Sequence, residues 1–237
     1  LDDPKSLPRV EGFEENLGTH IDEIRTLRVA VVPGLGCATV GPESEDLIRA
    51  AAEELIAVTG MQRVDIDLRL PNIMGAWGLT GAVGTRKSLG DLWPDCGADI
   101  TGAMRVGIER AEANFDLNTM VKAETRRVEL NTAMAAMFAD ADIVLAATNP
   151  ATAFNAEGHL PSTFEGVEAR SSNNGALTAP SNIFGNPAAA LPVGLASDGL
   201  PVSLQILAPH YREDLLLDLG RAWERHRPWP LLAPLTN

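Results

Sequence analysis

Between Arg28 and Leu70 the chain reads as strand, helix, strand. Arg28 to Val32, RVAVV, is a short apolar run that ends in Pro33-Gly34-Leu35-Gly36. After a loop closed by Gly41-Pro42, residues Glu43 to Val58 carry an apolar stripe at Leu47, Ala51, Leu55 and Val58, the spacing of one helix face. Pro42 suits the first turn, acidic residues fill the helix start, and Gly60 is placed to cap its end. Arg63 to Leu70, RVDIDLRL, then alternates strictly, as a half-buried strand does. A unit of this kind predicts a layered α/β fold.

Further elements follow. Asn72 to Gly107 is rich in glycine and small side chains and receives no assignment. Phe115 to Phe138 is the longest helical candidate, with Met120, Val128, Met134 and Phe138 near helical spacing. Asp142 to Ala147, DIVLAA, is a buried-strand type of run stopped by Thr148-Asn149-Pro150. Ala151 to Asn174 is polar and reads as a surface excursion. Ala188 to Ala196 and Pro201 to Leu207 flank Ser197-Asp198-Gly199, so an antiparallel hairpin is expected. Arg212 to Arg225 is a last helix, acidic at its start and basic at its end. No repeat or internal boundary stands out. The expectation is one α/β domain over residues 1–237, with a linker-like start over 1–26: a mixed β-sheet flanked by helices on both faces.

With 237 residues the chain can bury a sizeable core. A formal net charge of −13, and no basic run longer than Arg126-Arg127 or Arg86-Lys87, argues against nucleic acid as a partner. Two distant cysteines, Cys37 and Cys96, form neither a disulfide framework nor a zinc motif, so a reducing cytoplasm is the default location. The longest apolar stretch, Ile183 to Ala196, is interrupted by Gly185, Pro187, Pro192 and Gly194, which argues against a membrane span.

Most motif-like features have an ordinary structural reading. Pro33-Gly34-Leu35-Gly36 lacks the third glycine of a dinucleotide fingerprint, where Thr39 stands, and Pro42 delays the helix. It reads as a turn ending a strand. No GxSxG elbow occurs. His20, His159, His210 and His226 have no second ligand at short spacing, so no metal site is expected, and no cofactor either. Asp65 and Asp67 read as the solvated face of a strand. Asp140 and Asp142 read as terminators, and Cys37 as an unactivated thiol. The stretch Thr178 to Pro187 differs. It sets turn formers and short hydroxyl or amide side chains just before a buried strand, as loops lining a cleft do.

That stretch, T-x-P-x-N-x-x-G-x-P-A over Thr178 to Ala188, runs into Leu191-Pro192-Val193-Gly194 and then DGLPVSLQIL. Together these resemble the C-terminal hallmark of the amidase signature family. Three further stretches are similar to the family in the same order. They are Leu27 to Val64, the helix Val121 to Phe138 with Lys122, Arg126 and Arg127, and Asp142 to Phe154, DIVLAATNPATAF. LDDPKSLP at the start is similar to the tail that closes the family's Gly/Ser-rich signature. The resemblance covers residues 2 to about 230 and is most specific over the last 95.

The resemblance implies hydrolysis of carboxylic acid amides to acid and ammonia or amine by a Ser–Ser–Lys triad. No catalytic residue carries over. Ser171-Ser172 is followed by Asn173-Asn174 where the signature has glycines, and Lys5, Lys87 and Lys122 match no catalytic position. The machinery is expected upstream, and this chain alone is expected to be inactive, its amidase-like sheet incomplete. What carries over is a pocket wall: Thr178, Ser181, Asn182 and Gly185, with Thr148 and Asn149 in a loop where the family reads T-P-T. Gly175 stands where tRNA-dependent amidotransferases carry an aspartate, which favours a plain amidase. The implied partners are a small-molecule amide, and either a second copy of the chain or a signature-containing half. The alternatives are a non-catalytic amidase-like binding or scaffold protein, or part of a split amidotransferase-type assembly.

Overall fold

The computed structural model describes residues 11–230. Its elements are α1 (Ile21–Ile24), β1 (Arg28–Val31), α2 (Pro42–Thr59), β2 (Gln62–Arg63), α3 (Met74–Leu89), α4 (Gly102–Asn114), α5 (Leu117–Asp140), β3 (Ile143–Ala147), β4 (Thr163–Phe164), β5 (Val167–Glu168), α6 (Ala179–Phe184), β6 (Ala188–Leu195), β7 (Pro201–Leu207) and α7 (Glu213–His226). Five strands form one mixed sheet in the order β2-β1-β3-β7-β6. β1 runs parallel to β2 and β3, whereas β7 is antiparallel to β3 and β6. All five residues of β3 are buried, as a central strand covered on both faces requires.

Strand alternation places helices on both sides. Leu191 of β6 pairs with Leu204 of β7, and it approaches Gly220 of α7. The next residue of β7, Gln205, faces the other way and donates to the Leu177 carbonyl just before α6. The hairpin forms in the expected register, with Gly199 at φ +80° in its connection.

α2 starts at Pro42 and ends at Gly60, whose φ of +75° is the left-handed cap that the sequence predicts. Its buried face is Ser44, Ile48, Ala51, Ala52, Leu55 and Thr59. The expected stripe is therefore rotated: Ala51 and Leu55 are buried, but Val58 is exposed. A remote carboxylate completes its start, because Glu165 accepts from the Ser44 N–H and from the Ser44 hydroxyl.

Three expectations about elements change. Of the expected strand Arg63 to Leu70, only Arg63 lies in a strand, as the last residue of β2. Past Arg63 the Val64 N–H still donates to the Val29 carbonyl, and the segment then leaves the ladder, rejoining the chain beyond β1 where the Leu70 N–H donates to the Leu35 carbonyl. The alternation persists without a ladder: Val64, Ile66 and Leu68 are half-buried, while Asp65 and Asp67 face solvent. The stretch without assignment, Asn72 to Gly107, holds α3 and part of α4, clasped by Arg86 and Trp93 donating to Glu112. Glycines at 75, 78, 81 and 84 and the lack of a buried residue explain why α3 shows no amphipathic stripe. The surface excursion also contains a hairpin, β4–β5, turned by Glu165 and Gly166 at φ +50° and +85°.

α5 corrects a fourth. Its buried residues are Ala123, Leu130, Met134 and Met137. Met120 and Val128, placed in the expected stripe, are exposed, as are Leu117 and Val121. At 100° per residue Leu117, Val121 and Val128 fall on the side of the helix away from the core, and Met120 flanks the core face. Met120, Val121 and Val128 border an apolar groove of about 760 Å³ with Thr125 and Ala136. α5 therefore has two apolar faces, and its own fold covers one.

Of the linker-like stretch 1–26, residues 1–10 lie outside the described residues. Those from 11 onward form turns and α1, and are tied to α7. Asp218 of α7, 1% exposed, accepts from the backbone N–H groups of Gly18 and His20 and lies 3.0 Å from His20 Nδ1.

Asp142 does more than terminate a helix. Its carboxylate accepts from the Arg28 backbone N–H and, at both oxygens, from the Arg28 guanidinium, joining the start of β1 to the approach to β3. Hydrogen bonding to Arg28 holds this carboxyl below the usual carboxylate range. A carboxyl so depressed stabilises the fold above its unfolded value near 3.8 and loses that contribution as pH falls through its lower folded value. Asp142→Asn is thus expected to lower the urea midpoint at pH 7, with the gap to the parent shrinking as pH falls below the unfolded value and through the lower folded one. A gap that stays undiminished through that fall would show that the ion pair is not the cause.

Candidate functional site

Two groups of residues carry the pocket expectation, and the fold separates them. Thr148 and Asn149 follow β3, and the Thr148 N–H donates to the Ser203 carbonyl of β7. Because β1 and β3 are parallel, this is the carboxyl end of both, where open α/β sheets place their ligands. A cleft of about 580 Å³ opens here, between Asn149–Phe154, the β4–β5 hairpin, Asn174 and Pro201. Its rim is held by the Thr152 hydroxyl donating to Asp198 and by the Gly41 N–H donating to the Pro150 carbonyl. The Thr152 hydroxyl and the Leu200 N–H hold the Asp198 carboxyl below its usual range.

The expected loop from Thr178 to Gly185 is a short helix, α6, ended by Gly185 at φ +85°. It leads away from the cleft. Gly185 lies near His210, which pairs with the Phe184 carbonyl at the opposite end of β7. Thr178 and Asn182 are exposed, and the Asn182 amide donates back to the Thr178 carbonyl. Thr178, Ser181, Asn182 and Gly185 do not line the 580 Å³ cleft, whereas Asn149 does. Two of the six candidates share another property. The hydroxyls of Thr148 and Ser181 are buried without a hydrogen-bond partner among the described residues.

Sequence reasoning missed Phe154, Phe164 and Asn174 as part of one concavity. The signal was present only as aromatic residues scattered through a polar excursion. Contact between its ends depends on the β4–β5 hairpin, whose Glu165 is pinned to α2.

The remaining chemical groups take structural roles. Gly36, at φ +68°, lies so close to the 64–70 segment that a Cβ would collide with the Leu68 carbonyl oxygen. The Pro-Gly-Leu-Gly turn therefore serves a close backbone approach. Cys37 follows this turn, and burial pushes its thiol up to about 11, away from reactivity. His226 meets Glu54 on the surface, and no group of three or more metal-ligating side chains occurs among the described residues. No described helix is long and apolar enough to cross a membrane. Lys87 and Lys122 are exposed on α3 and α5.

The Amidase family profile matches residues 2–217. A bacterial aryl acylamidase of the amidase signature enzymes superposes with a TM-score of 0.81 at 25% identity, over 96% of this chain and 48% of that one. A glutamyl-tRNA(Gln) amidotransferase polypeptide from Pseudomonas putida is 27% identical over a 269-residue alignment, spanning 96% of this chain and 53% of the relative. The 6-aminohexanoate-cyclic-dimer hydrolase of Pseudomonas sp. (strain NK87) is 46% identical over 59 residues, 25% of this chain and 12% of the relative. The chain thus spans about half the length of the relatives it matches from end to end. With its mixed sheet between helices, and the family profile covering most of its length, the chain belongs to the Amidase family.

Proposed function

We propose that this chain forms the substrate-side half of an amidase, which hydrolyses a carboxylic acid amide to the acid and ammonia or amine. A complementary, signature-bearing portion would supply the nucleophilic serine, the relaying serine and the lysine base. In that chemistry the serine oxygen adds to the amide carbonyl, the amine leaves with a proton, and water releases the acid. The observation that carries this reading is α5. It presents a second apolar face in a chain that fits one half of an aryl acylamidase with a TM-score of 0.81. An apolar stripe of that length on a soluble protein marks a surface that another segment covers.

Gly175 supports an amidase over a glutamine-using amidotransferase. A Cβ there would lie 3.0 Å from the Met74 Cε, so any side chain at this position requires that methyl to shift. The rival reading, a non-catalytic binding or scaffold protein, keeps the cleft and needs no complementary portion.

The deciding experiment assays amide hydrolysis by this chain alone and after mixing with a separately made signature-bearing half. A serine-directed, mass-tagged inhibitor is included. Turnover is expected only in the mixture, with the tag on the other half, and Val128→Glu on α5 is expected to prevent reconstitution. Turnover by this chain alone with one of its own serines tagged refutes the proposal. So does a mixture that binds tightly and never turns over.

A further inference from the structure

The 580 Å³ cleft at the carboxyl end of β3 has a composition that specifies its ligand. Its walls include the rings of Phe154 and Phe164 and the prolines Pro150 and Pro161. Phe154 is 53% exposed, so a ring face is open to a ligand, whereas Phe164 is 3% exposed and forms the floor. Among the described residues, no lysine, arginine or histidine lines it. Glu165 is the one charged lining residue among those described, and its carboxylate is committed to the N-terminal turn of α2 through Ser44, where the helix dipole offsets its charge.

The polar groups left for a ligand are neutral. Asn174 donates both to the Pro161 carbonyl at 3.0 Å and to the Ser171 carbonyl at 2.7 Å, which leaves its Oδ1 as an acceptor. Asn149 is exposed, and its carboxamide can both donate and accept. An acceptor that takes an amide N–H, a carboxamide that reads the amide oxygen, and an aromatic wall together match an uncharged aryl amide. A carboxylate would enter without a counter-ion and lose its hydration, which disfavours it. The volume lies within the range of small-molecule pockets.

We propose that this cleft binds the neutral, ring-bearing part of an amide substrate, with Phe154 and Asn149 setting that preference. The proposal rests on the amidase reading for the word substrate. Its binding claim is independent of turnover.

The test is titration of the intact chain with benzamide, benzoate and L-glutamine, followed by saturation-transfer NMR. Benzamide is expected to bind, with benzoate and glutamine weaker by about tenfold or more, as for an unpaired charge at a partly dry site. Phe154→Ala and Asn149→Ala are each expected to weaken benzamide by about fivefold, the scale of one aromatic contact or one hydrogen bond. Phe115→Ala, a comparably exposed ring elsewhere, should leave binding unchanged and controls for folding. Absent benzamide binding, equal affinity for benzoate, or indifference to Phe154→Ala overturns the proposal. Benzamide binding by the chain, with no hydrolysis by the reconstituted halves, sinks the amidase reading and leaves the cleft. Hydrolysis of benzamide unaffected by Phe154→Ala does the reverse.

Discussion

Asp218→Ala is expected to lower the free energy of unfolding by about 2–3 kcal/mol, the upper part of the range for leaving donors without their acceptor. The Asp218 side chain is fully buried on α7, and three groups from the chain's early segment converge on it. The backbone N–H groups of Gly18 and His20 donate to its two oxygens, and His20 Nδ1 lies 3.0 Å away. His20 Nε2 also faces Asp214 at 3.3 Å, and Arg212 bridges Asp214 to Glu23 of α1. Alanine would leave two half-buried backbone donors and an imidazole without their acceptor. Gly18 has little room to compensate by shifting, because the Arg221 guanidinium is packed against its Cα. Urea unfolding followed by circular dichroism measures the loss, and limited proteolysis should find new cleavage between residues 13 and 20. Asp218→Asn keeps one acceptor and should fall between parent and alanine. A loss for alanine below about 1 kcal/mol would mean the early segment is not anchored by this carboxylate.

Trp223→Ala is expected to cost about 3–5 kcal/mol, the range for truncating a buried aromatic. Trp223 is wholly buried between α7 and the edge strand β6. Its indole Nε1 donates to the Pro192 carbonyl at 2.9 Å, fastening a strand whose outer edge has no neighbour among the described residues. The Arg227 guanidinium lies 5.5 Å from the ring centre. Trp223→Phe retains most of the packing and loses the hydrogen bond, so it should cost nearer 1–2 kcal/mol, roughly one hydrogen bond plus a modest repacking term. Equal losses for the two variants would assign the whole effect to the hydrogen bond and none to packing. Both are read by the same urea titration.

Much of the fold is legible because short-range physics and the local period agree. At α2, the proline at the start, the acidic first turn and Gly60 at the end each act within a few residues of the helix they delimit. The β6–β7 hairpin is legible for the same reason. Its turn chemistry and apolar runs lie within 20 residues. The α2 and α5 stripes come out rotated because period alone does not say which of two apolar faces is covered. Met120 and Val128 satisfy helical spacing as well as Leu130 and Met137 do. α3 is invisible since its glycines remove both propensity and stripe.

The site is less legible than the fold. Asn149 can be named as a pocket residue from its place after a buried strand, yet Asn174, Phe154 and Phe164 become its neighbours only through long-range contacts. Likewise, nothing in residues Thr178 to Gly185 announces that α6 carries them to the far end of the sheet.

By itself, then, the sequence determined the strand–helix opening, the closing hairpin and the family, because each is written in local spacing or in a contiguous motif. Tertiary structure alone decided where Arg63 to Leu70 stops pairing, which face of α5 stays bare and which candidates share a cleft. Such outcomes depend on contacts between separate elements, at their longest Glu165 on Ser44 and Asp218 on Gly18, more than a hundred residues apart, whose meeting no local pattern encodes.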